Sequence, residues 1–238
     1  LNAALRNGKP LDSPRFAEHA KTVAEIIKKK AKVVIIAHQG RKGDADCIPL
    51  KQHAQVLSKH LHHAITYIPD LFGKKAEQAI KHLKPGQAIL LENVRFFDDE
   101  KALGKTNRYP VLCKQFDLYV NDAFSDSHRE HGSITLPPRF LPSCIGRSFE
   151  HELKAADHFI KDNHEKKVFL LGGSKLEDYI PFFKVLEHKH HKILASGVLG
   201  NAFLASQGID LGYENNWLRE KKYNLLFPQL RELLKKYP

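Results

Sequence analysis

The chain has 238 residues, with 38 Lys+Arg, 27 Asp+Glu and 15 His, and a formal net charge of +11. Its 42% hydrophobic and 27% charged residues are an ordinary globular balance that excludes collagen, coiled coil and general disorder. No apolar run approaches the ~20 residues of a membrane span, and the length fits one large domain or two small ones.

Short β-rich apolar runs at 33–37, 64–68, 88–91, 118–121, 168–171 and 193–195 predict strands. Amphipathic stretches at 16–30, 50–62, 74–83, 111–116, 151–161 and 179–188 predict helices between them. Strands that alternate with helices point to βαβ units, hence an α/β fold with a parallel sheet. The runs that open at Val33 and Val168 are apolar throughout, as strands covered on both faces should be. Residues 132–146, with Pro137, Pro138 and Pro142, have no clear period; they are expected to form a connection that ends the first sheet before a helix near Ser148. After Gly212 comes a stretch with Trp217, to which no role is assigned, and then an amphipathic helix at 228–236. A second unit with two strands and three helices makes a poor independent core, so the chain is expected to be cut short at this end. It has no Met and begins at Leu1, so its numbering need not be continuous with a native gene product.

The beginning has no signal-peptide pattern. Cys47, Cys113 and Cys144 are an odd, widely spaced set without C-x-x-C, expected to be reduced thiols in a cytoplasmic protein. The basic excess is uneven: residues 1–150 hold 24 Lys+Arg against 16 Asp+Glu, and residues 151–238 hold 14 against 11. A positive first half points to an anionic partner, whether nucleic acid, a membrane surface or a small phosphorylated or carboxylated ligand.

Ligands of open parallel sheets bind beyond the carboxyl ends of the strands. Three predicted strand ends each present an arginine there. His38-Gln39-Gly40-Arg41 follow Ala37, Glu92-Asn93-Val94-Arg95 follow Leu91, and Asn121-Asp122-Ala123-Phe124 lead on to His128-Arg129. Arginine binds carboxylate and phosphate bidentately, so three at strand ends favour a small-anion site. A nucleic-acid module would instead string its basic residues along one helix or loop with interleaved aromatics. In the second half Leu171-Gly172-Gly173-Ser174-Lys175 follow a strand and open a helix, and Ser196-Gly197 follow the next strand. Glycines admit a phosphate to the backbone and a helix N-terminus favours it, which together suit a nucleotide shelf. His60, His62 and His63, and His188, His190 and His191, lack Cys or carboxylates at ligand spacing and are expected to be solvated helix ends rather than a metal site.

These blocks, in this order, resemble the signature segments of phosphoglycerate kinase. Asp12-Ser13-Pro14-Arg15-Phe16 is similar to that family's early arginine motif. The forms His38-Gln39-Gly40-Arg41 with Gly43-Asp44-Ala45-Asp46, the segment 197–204, and Gly208-Ile209-Asp210-Leu211-Gly212 are similar to its archaeal branch. The resemblance implies two Rossmann-like domains across a cleft, a glycerate domain over 1–148 and the opening of a nucleotide domain over 149–238. It implies reversible phosphoryl transfer between 1,3-bisphosphoglycerate and ADP, giving 3-phosphoglycerate and ATP, with Mg²⁺ carried by the nucleotide. Asn2, Arg15, His38, Gln39, Gly40, Arg41, Arg95 and Arg129 would line the glycerate site, with Arg15 the catalytic one. Gly172, Gly173, Lys175 and Gly197 would hold the nucleotide. Lys42 stands where the family usually has Pro, and Tyr179 where many members have a second basic residue. The family's acidic Mg²⁺-nucleotide ligand and later phosphate loop have no match before Pro238, so a polypeptide ending there is not expected to sustain transfer; the alternative reading is a non-catalytic 3-phosphoglycerate-binding fragment.

Overall fold

The computed structural model describes residues 1–161, 167–173, 176–186 and 192–236. The chain forms two compact units, Leu1–Lys161 and Asp162–Pro238.

The first unit opens with a hairpin of β1 (Leu5–Arg6) and β2 (Lys9–Pro10), paired antiparallel. Its turn, Asn7-Gly8, takes positive φ at both residues, as a two-residue hairpin turn demands. Helix α1 (Pro14–Lys28) follows, started by a proline whose fixed φ suits a first turn. Its buried stripe is Phe16, Ala20 and Val23. Then come β3 (Val33–Ile35), α2 (Lys51–Leu61), β4 (Ile65–Tyr67), α3 (Lys74–His82) and β5 (Ala88–Leu90). The three strands form a parallel sheet in the order β3-β5-β4, in which Leu90 lies level with Ile35 on one side and Tyr67 on the other.

β5 runs through the middle and is buried along its length. Ala88 and Leu90 face a cluster with Phe16 and Val23 of α1 and Ala54 and Leu57 of α2. Ile89 and Leu91 face the opposite cluster, with Ala76 and Ile80 of α3. Each fully buried Leu or Ile contributes about 1.5–3 kcal/mol, so the strand stabilises two helix layers at once.

Next come α4 (Tyr109–Cys113), β6 (Tyr119–Asn121), the short α5 (Gly132–Thr135), β7 (Ser143–Ile145) and α6 (Arg147–Lys161). Tyr109 and Leu112 of α4 join the second cluster. Two sequence expectations are corrected here. Residues 132–146 hold a helix and a strand, and β7 pairs parallel with β6. Ser143-Cys144-Ile145 is exposed and follows Pro142, so neither burial nor alternation marks it as a strand. The helix expected at 111–116 begins at Tyr109, with Pro110 in its first turn. α6 packs with the first unit. Arg147 N donates to Thr22 Oγ1 of α1 at 2.8 Å, and Phe149 N donates to Asp122 Oδ1 at 3.2 Å.

The second unit contains β8 (Val168–Leu171), α7 (Leu176–Leu186), β9 (Lys192–Ala195), α8 (Gly197–Ser206), α9 (Tyr213–Glu220) and α10 (Phe227–Lys236). β8 and β9 are parallel neighbours. Its core joins Leu176 and Phe183 of α7 to Leu199, Ala202, Leu218 and Leu230 of the last three helices, with Leu171 and Ile193 leaning on it. The other sheet face is open: Val168 is 56% and Leu170 72% exposed. The expectation that the Val168 run is covered on both faces is thereby corrected; helices of the described core lie against one face alone. Among the described residues no helix is long and apolar enough to cross a membrane.

Candidate functional site

The carboxyl ends of β3 and β5 are tied together by Asn93, which is fully buried. Its Oδ1 accepts from Gln39 N at 3.2 Å and Arg95 N at 3.1 Å, and its Nδ2 donates to Gln39 O and Ile48 O, both at 2.9 Å. Glu92 fixes the same loop by accepting from Leu50 N, Asn93 N and the Tyr67 hydroxyl. Gln39, also fully buried, reaches the first residues of the chain. Its Oε1 accepts from Ala3 N at 2.8 Å and its Nε2 donates to Ala3 O at 3.0 Å. Gly40 adopts φ +67°, and a Cβ there would lie 2.6 Å from the backbone of Asp46, so this tight turn admits no larger residue unchanged. Gly40 N donates to Asn2 Oδ1 at 3.2 Å, and Asn2 O accepts from Arg15 Nη1 at 2.8 Å.

The other half of the site gathers on Asp126, in a 3-10 turn just after β6. Its carboxylate meets Arg95 Nη2 at 3.5 Å, Arg129 Nε at 3.1 Å, His38 Nδ1 at 3.4 Å and His131 Nδ1 at 3.4 Å. Burial pushes the Asp126 carboxyl up, and the surrounding His38, His131, Arg95 and Arg129 more than offset it, so it is held below the usual carboxylate range. Burial, the largest cause, holds His38 down to about 3. His38 therefore meets Asp126 as a neutral ring, and the cluster's positive charge resides on the arginines. Arg95 is 5% exposed, and its Nε is buried without a hydrogen-bond partner among the described residues. A buried guanidinium N–H left unmet is costly and is satisfied by an anion's oxygen.

One continuous network thus links Arg15, Asn2, Gly40, Gln39, Asn93, Arg95, Asp126, Arg129 and His38. Arg41 stands apart: it is exposed and has no polar side-chain partner among the described residues. Asp126, Asn93 and His131 are the members that strand-end reasoning did not single out as site residues. His60, expected as a solvated helix end, is half-buried, donates from Nε2 to Asp12 Oδ1 at 2.7 Å and stacks on Phe16. Among the described residues, no three His, Cys, Asp or Glu side chains gather into a metal site. Cys47, Cys113 and Cys144 are free thiols.

In the second unit Gly172, Gly173 and Gly197 adjoin at the carboxyl ends of β8 and β9. A Cβ at Gly172 would meet Ser196 Oγ at 2.4 Å, and one at Gly197, whose φ is +54°, would lie 3.7 Å from Gly173 N. The Tyr179 hydroxyl donates to Gly172 O and pins the turn. Lys175, the expected phosphate contact, lies outside the described residues.

The family profile described as phosphoglycerate kinase matches residues 1–238. The chain belongs to the phosphoglycerate kinase family. The phosphoglycerate kinase of Methanopyrus kandleri is 38% identical over 98% of this chain and 60% of its own length, and that of Archaeoglobus fulgidus is 37% identical over 100% and 60%. The crystal structure of the phosphoglycerate kinase from Pyrococcus horikoshii OT3 superposes with a TM-score of 0.93 at 32% identity, over 99% of this chain and 60% of that one. The phosphoglycerate kinase from Coxiella burnetii superposes with a TM-score of 0.70 at 28% identity, over 99% and 58%. The chain therefore spans about 60% of the length of these relatives. The expected archaeal resemblance and the α/β fold agree with these findings.

Proposed function

We propose that this chain supplies the phosphoglycerate-binding part, and the opening of the nucleotide-binding part, of a phosphoglycerate kinase. The whole protein would transfer a phosphoryl group reversibly between 1,3-bisphosphoglycerate and ADP in glycolysis or gluconeogenesis. The observation that carries this reading is the buried, incompletely paired guanidinium of Arg95 inside an arginine and histidine cluster, in a chain of this family. A basic nucleic-acid module is not favoured, because two of the three strand-end arginines, Arg95 and Arg129, converge on one carboxylate rather than lining a helix face.

In this reading Arg95, Arg129 and His38 hold the phosphate end of the glycerate ligand, with Arg41 free to close on it from solvent. Asn2, Gln39 and Gly40 shape the loop beneath the ligand, and Arg15 neutralises charge at the transferring group. Phosphoryl transfer asks the protein for positioning and charge neutralisation rather than covalent help, and fixed guanidinium groups provide both. Gly172, Gly173 and Gly197, with Lys175, would receive nucleotide phosphates. No carboxylate set for Mg²⁺ is gathered among the described residues, so the ion is taken as part of the nucleotide substrate, whose charge it screens. The domains would follow the expected division near residue 148, with α6 leading out of the glycerate part. A cytoplasmic setting, with no nucleic-acid or membrane partner, suits three free thiols and small charged substrates.

Calorimetric titration with 3-phosphoglycerate tests this. The parent chain is expected to bind without nucleotide, and Arg95→Ala to lose about 1.5–3 kcal/mol, the scale of a hydrogen bond to a charged group. No binding by the parent, or an unchanged affinity in the variant, would overturn it.

A further inference from the structure

We propose that Asp126 is the internal counter-anion of this site, a positioning residue that holds its cationic groups on one point and weakens their grip on phosphate. The proposal rests on the reading above for the identity of the ligand. Its own evidence is geometric.

One carboxylate, 7% exposed, is shared by four side chains, with contacts of 3.5, 3.1, 3.4 and 3.4 Å. Charge-assisted hydrogen bonds to carboxylate normally close to about 2.7–2.9 Å. Two other arginine–carboxylate pairs of this unit do close: Arg108 meets Asp99 at 2.6 Å, and Arg147 meets Glu25 at 2.6 Å. Asp126 therefore satisfies none of its partners fully. Arg95 keeps its Nε unmet, and Arg129 remains 35% exposed on the open side. This is the arrangement of a stand-in anion, which gathers donors without consuming them.

The charge count agrees. Two guanidinium groups contact the Asp126 carboxylate, and the second buried carboxylate, Glu100, stands beyond His131, 3.7 Å from its Nδ1, so the guanidinium pair is the part of the cluster that attracts a phosphate group. The Asp126 carboxylate repels that group from a few ångströms away. Removing the Asp126 charge should thus strengthen phosphate binding, whereas loss of an ordinary structural residue would weaken it. A kinase gains from such restraint, because grip on the ground state that is not strengthened in the transition state does not raise turnover.

The test compares the parent chain with Asp126→Ala and Asp126→Glu, using inorganic phosphate as the probe in calorimetry and in thermal melting. Asp126→Ala is expected to bind phosphate on the order of tenfold tighter than the parent, as for a screened unit charge close to the ligand. Its melting temperature should rise more with phosphate than the parent's does, because the anion refills the hole. Asp126→Glu, which keeps the charge, should keep the parent affinity. Phosphate binding by Asp126→Ala that is unchanged or weaker would overturn the proposal. So would an Ala variant that stays unfolded in excess phosphate, or a Glu variant that gains as much as Ala. If 3-phosphoglycerate fails to bind the parent, the ligand assignment falls, while the phosphate comparison still decides the role of Asp126.

Discussion

The two units use the same strand–turn–helix grammar and finish it differently. In Leu1–Lys161 the three-stranded sheet is buried on both faces, and polar side chains with few free bonds lock its strand ends together. In Asp162–Pro238 the described helices cover one face of a two-stranded sheet, and the strand ends present mainly backbone at glycines. In the first unit the strand ends are fixed by buried side-chain acceptors such as Asn93, Gln39 and Glu92. Where backbone itself is presented, small residues in close contact suffice. An apolar strand run therefore identifies a strand but not how many of its faces are covered.

The largest expected effect tests that contrast in the core. Leu90→Ala, at a fully buried position of β5, should cost about 2–5 kcal/mol in a denaturant titration followed by a first-unit probe. An effect under 1 kcal/mol would mean the sheet is not packed on both faces. Asn93→Ala comes next. It strands the N–H groups of Gln39 and Arg95 and the carbonyls of Gln39 and Ile48; with water refilling the space of the lost amide, the same unit should lose roughly 2–4 kcal/mol, less than the sum of about 1–3 kcal/mol for each buried group left unpaired. A larger loss of 3-phosphoglycerate affinity than of stability would instead make Asn93 mainly a ligand-positioning residue.

Acid should strike the first unit through its histidines. Burial holds His53 down to about 4, and among the described residues its Nδ1 is buried without a partner; His38 is held down to about 3. Both are below their unfolded value of about 6.5, so between that pH and about 4 the unfolded chain binds more protons. Stability is fully present above about pH 6.5 and falls as pH drops, by up to about 1.4 kcal/mol per pH unit for each histidine. Midpoints of urea melts between pH 7 and 5 check the sign: His53→Gln should flatten the fall, and a slope unaltered by it would sink the assignment. The smallest effect is expected at Leu170→Thr. This residue is 72% exposed on β8, so the change should stay within about 0.5 kcal/mol. A cost as large as that of Leu90→Ala would show that the open sheet face is covered in solution.

Much of the architecture was legible in advance, for identifiable reasons. The runs at 33–37, 64–68 and 88–91 stand out because a strand between two helix layers is apolar on both faces. α1 is marked by Pro14 and by the Phe16, Ala20, Val23 stripe. The β1–β2 hairpin carried an equally clear sign in Asn7-Gly8, a pair suited to a two-residue turn, although it lies outside the alternation of strands with helices. β7 had no such sign, since it is three exposed residues after a proline, made a strand by pairing with β6.

The site divides along the same line. The sequence by itself determined the strand ends, the arginines placed just beyond them, the glycine turns and the family to which they belong, because each depends on residues a few positions apart. Only the tertiary structure decided that His38, Arg95 and Arg129 meet on Asp126, that Asn93 joins two strand ends, and that Arg41 stands free. His38 and Asp126 are 88 positions apart in the chain. An aspartate in a short turn has the same local signal whether it faces water or four cationic and imidazole groups. Its role comes from the packing of β3, β5 and β6, which sets the distances among these side chains, and no local spacing encodes those distances.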